Sequence, residues 1–390
     1  MRVLLTTWGW ASHFFPLVQL GWALQSAGHD VRVASQPGLA EVIHGAGLTA
    51  VPVGTAADYR ETFADFQSHL ARWPRPVDMG ELLDKFGAGT LSLYVDIAED
   101  MLPELHDFAS AWHPDLVIHE PTTYAGPIVA KALGLPSVRH IWGMDFTYLS
   151  HEYEPVALRK LAGRFGLDEV DTLGEVTIDP CPPSLRGEEK VRRLSMRYVP
   201  YNGPSVVPRW LWEPPARPRV CVTGGTVGGR FEGAAKPFEA RVVDALAGLD
   251  VDIVVVNPLS EFEPRAGTRV VDRIALHLLL PSCALVVHSG GGGTILTAIN
   301  SGTPQVLVPR MPDHVFNARR LEAAGASRTC FAAVETPELL RECVTDVLTA
   351  PGYRARTAEL RAEMAAEPSA CTVVDQLAEL VKSREVSNVS

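Results

Sequence analysis

Two side chains suited to proton transfer stand at the ends of apolar segments typical of buried strands. His13, in LTTWGWASHFFPLVQL, lies between the predicted strand Val3–Thr7 and a predicted helix with Pro16 near its start. Glu120 closes the apolar run DLVIHE. An imidazole is suited to take a proton from a hydroxyl group, and a carboxylate that accepts its second N–H can stabilise the imidazolium. The sequence indicates a general base, His13, that Glu120 orients.

Each of these two residues has a structural alternative. A single histidine is more often part of the fold than of a catalytic site, and a glutamate at a strand end often forms a salt bridge on the surface. Position favours the catalytic interpretation, because doubly wound α/β proteins bind ligands at the carboxyl ends of their strands. The surface salt bridge stays open as the alternative for Glu120.

Four consecutive glycines lead from a predicted strand into a predicted helix in VVHSGGGGTILTAINSG. They are Gly290, Gly291, Gly292 and Gly293. Glycine lets a phosphate approach the backbone, and a helix start offers unpaired N–H groups at the positive end of the dipole. Thr294 and His288 flank the run and are predicted to contact phosphate. The spacing matches neither the dinucleotide fingerprint nor the P-loop, and a turn that needs glycine only for packing is the alternative.

Two further groups of residues are candidate sites. Asp250 and Asp252 in LDVDIVV could bind a divalent metal that bridges a diphosphate, but they open a predicted strand away from the glycines, so no metal site is predicted. Aromatic and neighbouring residues are candidates to line an apolar pocket for the acceptor, the molecule whose hydroxyl loses the proton. Core packing is the alternative for at least half of them. These candidates are Phe66, Trp73, Trp142, Met144 and Asp145.

The elements that must position these residues alternate between short Val/Leu/Ile-rich runs and longer segments of helical period. This pattern is typical of parallel strands covered on both faces, that is, of a doubly wound α/β fold. Residues 201–218 interrupt the alternation with five prolines and a glycine. We predict a first domain over 1–200, a linker over 201–218 and a second domain with C-terminal helices over 219–390, with the two domains facing across a cleft.

Composition excludes several classes of protein. The formal net charge is −11 and the basic residues are scattered, which argues against a nucleic-acid partner. No apolar stretch reaches the length of a membrane span, and the N-terminus lacks the pattern of a secretory signal, so a cytoplasmic protein is expected. The six cysteines form no CxxC pair, which indicates neither a zinc site nor a disulfide framework.

The stretch from Val270 to Ala324 resembles the donor-binding signature of GT-B nucleotide-sugar glycosyltransferases, particularly the actinobacterial enzymes that decorate polyketide antibiotics. Besides HSGGGGT, the likeness includes GTPQVLVP, DHVFNA, CPPSL and YVPYNG. It covers nearly the whole chain. The resemblance implies a GT-B fold of two Rossmann-like domains, in which the glycine run and Thr294 hold a diphosphate, assisted by Gly225 and Thr226 in TGGT.

The resemblance also implies contacts to the rest of the donor. Asp313 and His314 stand where the family usually has Asp-Gln, whose side chains commonly meet sugar hydroxyls. Ile274 stands where a Trp-x-Pro sequence is common, and would support the base by its backbone and an apolar face. Similar variants occur in antibiotic enzymes that use thymidine diphosphate deoxysugars, which makes such a sugar the expected donor.

Together the residues and the resemblance predict an inverting, metal-independent transfer of a sugar to a hydroxyl of a small apolar natural product. The nucleotide diphosphate sugar is a co-substrate, and no cofactor is predicted. A nucleotide-sugar epimerase of the same fold and an inactive GT-B binding protein are the alternatives. A homodimer is compatible with the sequence.

Overall fold

The computed structural model describes residues 1–56, 77–225, 237–258, 264–331 and 335–389, which form two parallel sheets. The first sheet has the order β3-β2-β1-β4-β5-β6-β7. Its strands are β1 (Arg2–Thr6), β2 (Asp30–Ser35), β3 (Ala50–Pro52), β4 (Leu116–His119), β5 (Ser137–His140), β6 (Val176–Asp179) and β7 (Arg193–Ser195). The strand order reverses between β1 and β4, which is where ligands bind in such sheets.

Helices cover both faces of this sheet. They are α1 (Ala11–Ser26), α2 (Ala40–Gly45), α3 (Met79–Phe86), α4 (Ser92–Trp112), α5 (Ala125–Ala132) and α6 (Glu154–Gly163). The sequence of β1 is apolar without alternation because both faces of the strand are buried. Val3 and Leu5 pack into the cluster on one face, and Leu4 packs into the cluster on the other.

The second sheet has the order β10-β9-β8-β11-β12-β13. Its strands are β8 (Arg219–Thr223), β9 (Asp252–Val256), β10 (Thr268–Val271), β11 (Leu285–His288), β12 (Gln305–Leu307) and β13 (Ser327–Thr329). Its helices are α7 (Phe238–Ala245), α8 (Leu276–Leu279), α9 (Gly292–Ser301), α10 (Pro312–Ala323), α11 (Pro337–Thr349) and α12 (Pro351–Ala366). The predicted fold class, two doubly wound parallel α/β sheets, is confirmed.

The last helix, α13 (Ala370–Val389), returns to the first sheet. Val373 and Leu377 are buried in the same cluster as Leu17 of α1. The prediction that residues 219–390 belong together is therefore wrong for this helix. Its apolar residues are buried by α1, a contact between distant parts of the chain that helical periodicity cannot show.

The connection between the sheets runs from the end of β7 to the start of β8. Within it, the predicted linker 201–218 contains one short 3-10 turn, Arg209–Leu211, and no strand. Within the described ranges, the chain has no helix of the length and apolarity needed to cross a bilayer.

Candidate active site

The imidazole and the carboxylate predicted as a pair meet at the carboxyl end of the first sheet. Strands β1 and β4 are neighbours, with Thr6 in register with His119, so the segments after them emerge side by side. His13 lies in the first turn of α1, and its Nδ1 is 3.2 Å from Glu120 Oε2. Glu120 is fully buried at 0% exposure, which rules out the surface salt bridge considered as its alternative.

Two threonines hold the Glu120 carboxylate. Thr122 donates to Oε2 from its backbone N–H at 3.0 Å and from its hydroxyl at 3.0 Å. The Thr123 hydroxyl donates to Oε1. These bonds stabilise a carboxylate in a site that is otherwise shielded from water. Sequence reasoning missed both threonines, although they directly follow Glu120 in EPTTY.

The surroundings of His13 determine which ring nitrogen can act as the base. The indole N–H of Trp8 lies 3.1 Å from Nδ1 and can donate only to an unprotonated Nδ1, whereas Glu120 accepts from a protonated one. A hydrogen bond to a carboxylate is the stronger of the two because one partner is charged. We therefore assign the proton to Nδ1, which makes Nε2 the basic atom.

The glycine run of the second domain begins α9, directly after β11. Gly290 has a φ of +102°, a conformation that favours glycine, and Gly291 precedes the helix. The amides of Gly292 and Gly293 are the first of the helix and have no acceptor within it. A Cβ added to Gly293 would meet no atom of the residues that the structure describes within 4 Å, so these residues leave space beside the helix start for a ligand.

His288 supports this loop and does not point at a phosphate. Its Nδ1 accepts the N–H of Gly290 at 3.1 Å, and its Nε2–H donates to Gln305 Oε1 at 2.9 Å. Burial lowers the pKa of His288 to about 4, which keeps the ring neutral. The predicted phosphate contact is wrong because both ring nitrogens are occupied within the protein.

The loop is also held from its other side. The Asn317 amide donates to Gly290 O at 3.0 Å. Gly225 follows β8 with a φ of +77° and lies next to Ser289, whose hydroxyl donates to Gly224 O at 3.2 Å. The turn after β8 thus adjoins the glycine run, as the resemblance implies. Thr226 lies outside the described residues.

The residues expected to meet the sugar begin α10. His314 is 6% exposed, and its Nδ1 has no hydrogen-bond partner among the described residues. Its Nε2 is 3.7 Å from Asp313 Oδ2. The backbone of His314 packs against Gly290, where an added Cβ would lie 3.3 Å from the His314 carbonyl oxygen. A Cβ added to Gly291 would lie 3.9 Å from His314 Nε2, so the His314 side chain lies beside the glycine run with the Asp313 carboxylate next to it. Thr294 lies in the first turn of α9, half-buried.

The three acceptor candidates after β5 have different surroundings. The Trp142 ring packs on His13 with 4.2 Å between ring centroids. Met144 is buried in a cluster with Ile295 of α9. Asp145 pairs with the buried Arg139 and accepts the Thr147 hydroxyl at 2.7 Å, so it stabilises its own loop. Met144 and Asp145 are both buried within the protein, which favours the core-packing alternative for them, and their acceptor role stays a prediction. Phe66 and Trp73 lie outside the described residues.

Two further predictions concern the second domain. The Ile274 side chain is buried in a cluster with Leu279 and Leu280, which leaves its backbone and little of its apolar surface for a nucleobase. Asp250 and Asp252 pair with Arg217, at distances of 3.6 and 3.0 Å. Asp252 begins β9 at the amino ends of the parallel strands, whereas the glycine run follows the carboxyl end of β11. The two aspartates therefore cannot bridge a diphosphate held by the glycine run.

The first domain contacts the glycine run directly beside His13. Gly143, which follows Trp142, approaches Gly292 so closely that a Cβ added to Gly292 would lie 3.3 Å from Gly143 Cα. Trp142 itself covers the imidazole of His13. The base and the phosphate cradle therefore line one cleft, separated by a single loop.

We expect Glu120→Gln to lower kcat by roughly 10- to 1000-fold, since the amide neither fixes the Nδ1–H tautomer nor stabilises an imidazolium. Acceptor and nucleotide affinities should change little. Steady-state kinetics of the variant test this. Asp115→Asn, which removes an exposed carboxylate bonded to Arg2 N before β4, is the control. Equal kcat values for Glu120→Gln and the wild type would contradict the assigned role.

Family models match most of the chain. The model described as "Erythromycin biosynthesis protein CIII-like, N-terminal domain" matches residues 22–225. The corresponding C-terminal domain model matches residues 240–380. Among curated relatives, a 10-deoxymethynolide desosaminyltransferase of Streptomyces venezuelae is 38% identical, with 97% of each chain covered. A 3-alpha-mycarosylerythronolide B desosaminyl transferase of Saccharopolyspora erythraea is 37% identical, covering 98% of this chain and 99% of the relative.

Solved structures show the same fold. The spinosyn forosaminyltransferase SpnP superposes with a TM-score of 0.82 at 34% identity, covering 98% of this chain and 99% of that one. The glycosyltransferase VinC, solved in complex with dTDP, also gives a TM-score of 0.82, at 33% identity, covering 98% of this chain and 100% of that one. Fold and cleft thus define a GT-B glycosyltransferase. More particularly, the chain belongs to the erythromycin biosynthesis protein CIII-like family of antibiotic-decorating glycosyltransferases.

Proposed function

We propose that this glycosyltransferase moves a deoxysugar from thymidine diphosphate to a hydroxyl of a polyketide-derived acceptor. The names of its relatives support this: they include a TDP-daunosamine transferase of Streptomyces peucetius, 36% identical over 97% of this chain, and transferases named for 10-deoxymethynolide and erythronolide. The observation that carries the proposal is the cleft itself, where a histidine-carboxylate pair and an open helix N-terminus stand on facing walls.

The proposed reaction is one direct displacement. His13 Nε2 takes the proton of the acceptor hydroxyl, whose oxygen forms a bond to the anomeric carbon. The bond from that carbon to the β-phosphate oxygen breaks, and thymidine diphosphate leaves with the electron pair. The Glu120 carboxylate balances the imidazolium that forms. A single attack opposite the leaving group inverts the anomeric centre.

The leaving diphosphate requires charge stabilisation, which the second domain supplies. The amides of Gly292 and Gly293 and the dipole of α9 face the place where negative charge develops. Asp313 and His314 lie beside this loop and are proposed to contact the sugar. Trp142 shields the base from water and forms part of the acceptor surface. In this proposal no metal takes part, and the homodimer stays a prediction.

Because backbone amides replace a cation in this proposal, activity should survive saturating chelator. We expect initial rates in excess EDTA to remain within about twofold of the untreated rate, on the basis that a helix N-terminus binds phosphate without a metal. Release of thymidine diphosphate, followed by chromatography, measures the rate. Loss of activity that added Mg²⁺ restores would contradict the metal-free mechanism.

The experiment that tests the function combines the purified protein with a thymidine diphosphate deoxysugar and a macrolactone acceptor. Mass spectrometry should show an acceptor heavier by one sugar residue and an equal amount of thymidine diphosphate, and NMR should show the opposite anomeric configuration. A changed sugar that stays on the nucleotide would support the epimerase alternative. Nucleotide binding without turnover of any acceptor would support the binding-protein alternative. The transferase names of the relatives favour neither.

A further inference from the structure

Among the linker side chains that contact the donor site, Asn202 bonds to both α8 and α9. Its Oδ1 accepts two hydrogen bonds from His277 of α8, one from the backbone N–H at 3.1 Å and one from Nδ1–H at 3.0 Å. Its Nδ2 donates to Thr297 Oγ1 in α9 at 3.4 Å. Because an amide oxygen can only accept, this contact places a proton on Nδ1 of His277, and burial lowers the pKa of the ring, which favours its neutral form. Asn202 thus connects α8 to α9.

On the α9 side the connection continues to the glycine run. The Thr297 hydroxyl donates to Gly293 O at 2.7 Å, and the hydroxyl of Tyr198, which precedes the linker, lies 3.1 Å from Thr297 Oγ1. Thr297 is completely buried, and Tyr198 is nearly so. Hydrogen bonds shielded from water in this way hold their partners at fixed spacing, and their loss leaves polar groups unpaired.

On the α8 side the connection reaches the segment that precedes this helix. The Ser205 hydroxyl accepts the N–H of Ala275 at 3.0 Å, and Ile274 is the next residue toward the N-terminus. This inference rests on the proposed function, in which the glycine run holds the diphosphate, and on the role that the family resemblance implies for the backbone at Ile274, support of the nucleobase. The linker therefore touches both halves of the nucleotide site, and Asn202 adds hydrogen bonds to both where α8 and α9 also pack directly on each other.

We propose that Asn202 is a positioning residue for the donor, which fixes the spacing between the nucleobase-supporting segment before α8 and the diphosphate cradle at the start of α9. A ligand that spans both parts gains from this preset spacing, because it does not have to order one part against the other on binding. A ligand that occupies only the cradle gains nothing from it. The proposal therefore predicts different effects on nucleotide and on pyrophosphate.

The test is Asn202→Ala, studied by calorimetric titration with thymidine diphosphate and by inhibition with inorganic pyrophosphate. We expect the Kd of thymidine diphosphate to rise about tenfold, the effect of losing one or two hydrogen bonds. The inhibition constant of pyrophosphate should change by less than about twofold. The KM of the donor should rise, while kcat at saturating donor stays near that of the wild type.

Asn300→Ala is the matched control. The Asn300 amide also joins α9 to the linker side, by donating to Tyr198 O at 3.3 Å, but it does not contact α8. We expect this variant to keep the affinity for thymidine diphosphate within about twofold. Thr297→Val breaks the connection at its other end, and should raise the same Kd even if Asn202→Ala does not fold. The double variant should lose little more than either single one.

Three results would overturn the proposal. The first is an unchanged Kd for thymidine diphosphate in folded Asn202→Ala and Thr297→Val. The second is an equal loss in Asn300→Ala, which would show general damage to the linker. The third is an equal loss of pyrophosphate and nucleotide, which would place the effect in the cradle alone. If the wild type itself does not bind thymidine diphosphate, the proposed donor is wrong and this inference falls with it.

Discussion

His13→Ala is expected to lower kcat at least about 100-fold, the usual scale for loss of a general base. The imidazole is the group in the cleft placed to take the acceptor proton, with Nδ1 bonded to Glu120 and Nε2 left as the base. The affinity for thymidine diphosphate should stay within about twofold, because the nucleotide is held by the other domain. Quenched-flow or steady-state assays of sugar transfer, together with calorimetry, measure the two quantities.

His44→Ala is the control for this variant, since His44 is an exposed histidine on α2. It should retain normal kcat and normal nucleotide affinity. A folded His13→Ala enzyme with near-normal turnover would contradict the mechanism. A loss of turnover accompanied by an equal loss of nucleotide affinity would instead assign His13 to donor binding.

Gly293→Val should abolish binding of thymidine diphosphate, with a loss of affinity of more than about 100-fold. A Cβ added at Gly293 meets no atom of the described residues within 4 Å, so the domain should fold, and the valine methyl groups then occupy space that the phosphate needs. Thr294→Ala should do less, since it removes one hydroxyl hydrogen bond worth about 1.5–3 kcal/mol to a charged group. Calorimetric titration of each variant establishes the order of the two effects.

Gly352→Val provides a matched control for the glycine variant. Gly352 is likewise the second residue of a helix, α12, and a Cβ added there also meets no atom of the described part of the chain within 4 Å. Its replacement carries the same cost in helix propensity far from any predicted ligand site. We expect normal nucleotide affinity in this control. Undiminished affinity in folded Gly293→Val would place the diphosphate elsewhere.

The sequence predicted the parts of the site that depend on local order along the chain. His13 and the glycine run each follow a strand and open a helix, and this arrangement alone places them at the carboxyl edges of the sheets. Glu120 could be proposed as the partner of His13 only by position, because nothing local reveals that β1 and β4 are neighbours. That adjacency comes from the strand order.

The errors share a physical cause, since each concerned a partner distant in the chain or a direction within a loop. His288 was predicted to face phosphate because its pairing with Gln305 requires β12 beside β11. The pairing of Asp145 with Arg139 of β5 was not foreseen either, because the sequence of the loop does not show which way the carboxylate points. Helical periodicity in α13 showed an apolar face, but not that α1 buries it.

The central claim is that one cleft holds the nucleotide at the start of α9 and presents its sugar to His13. A crystal structure of the protein with thymidine diphosphate tests this most directly. The account predicts diphosphate oxygens within hydrogen-bond distance of the amides of Gly292 and Gly293, with the terminal phosphate on the side facing His13. A nucleotide bound away from α9, or with its terminal phosphate turned away from His13, would contradict it.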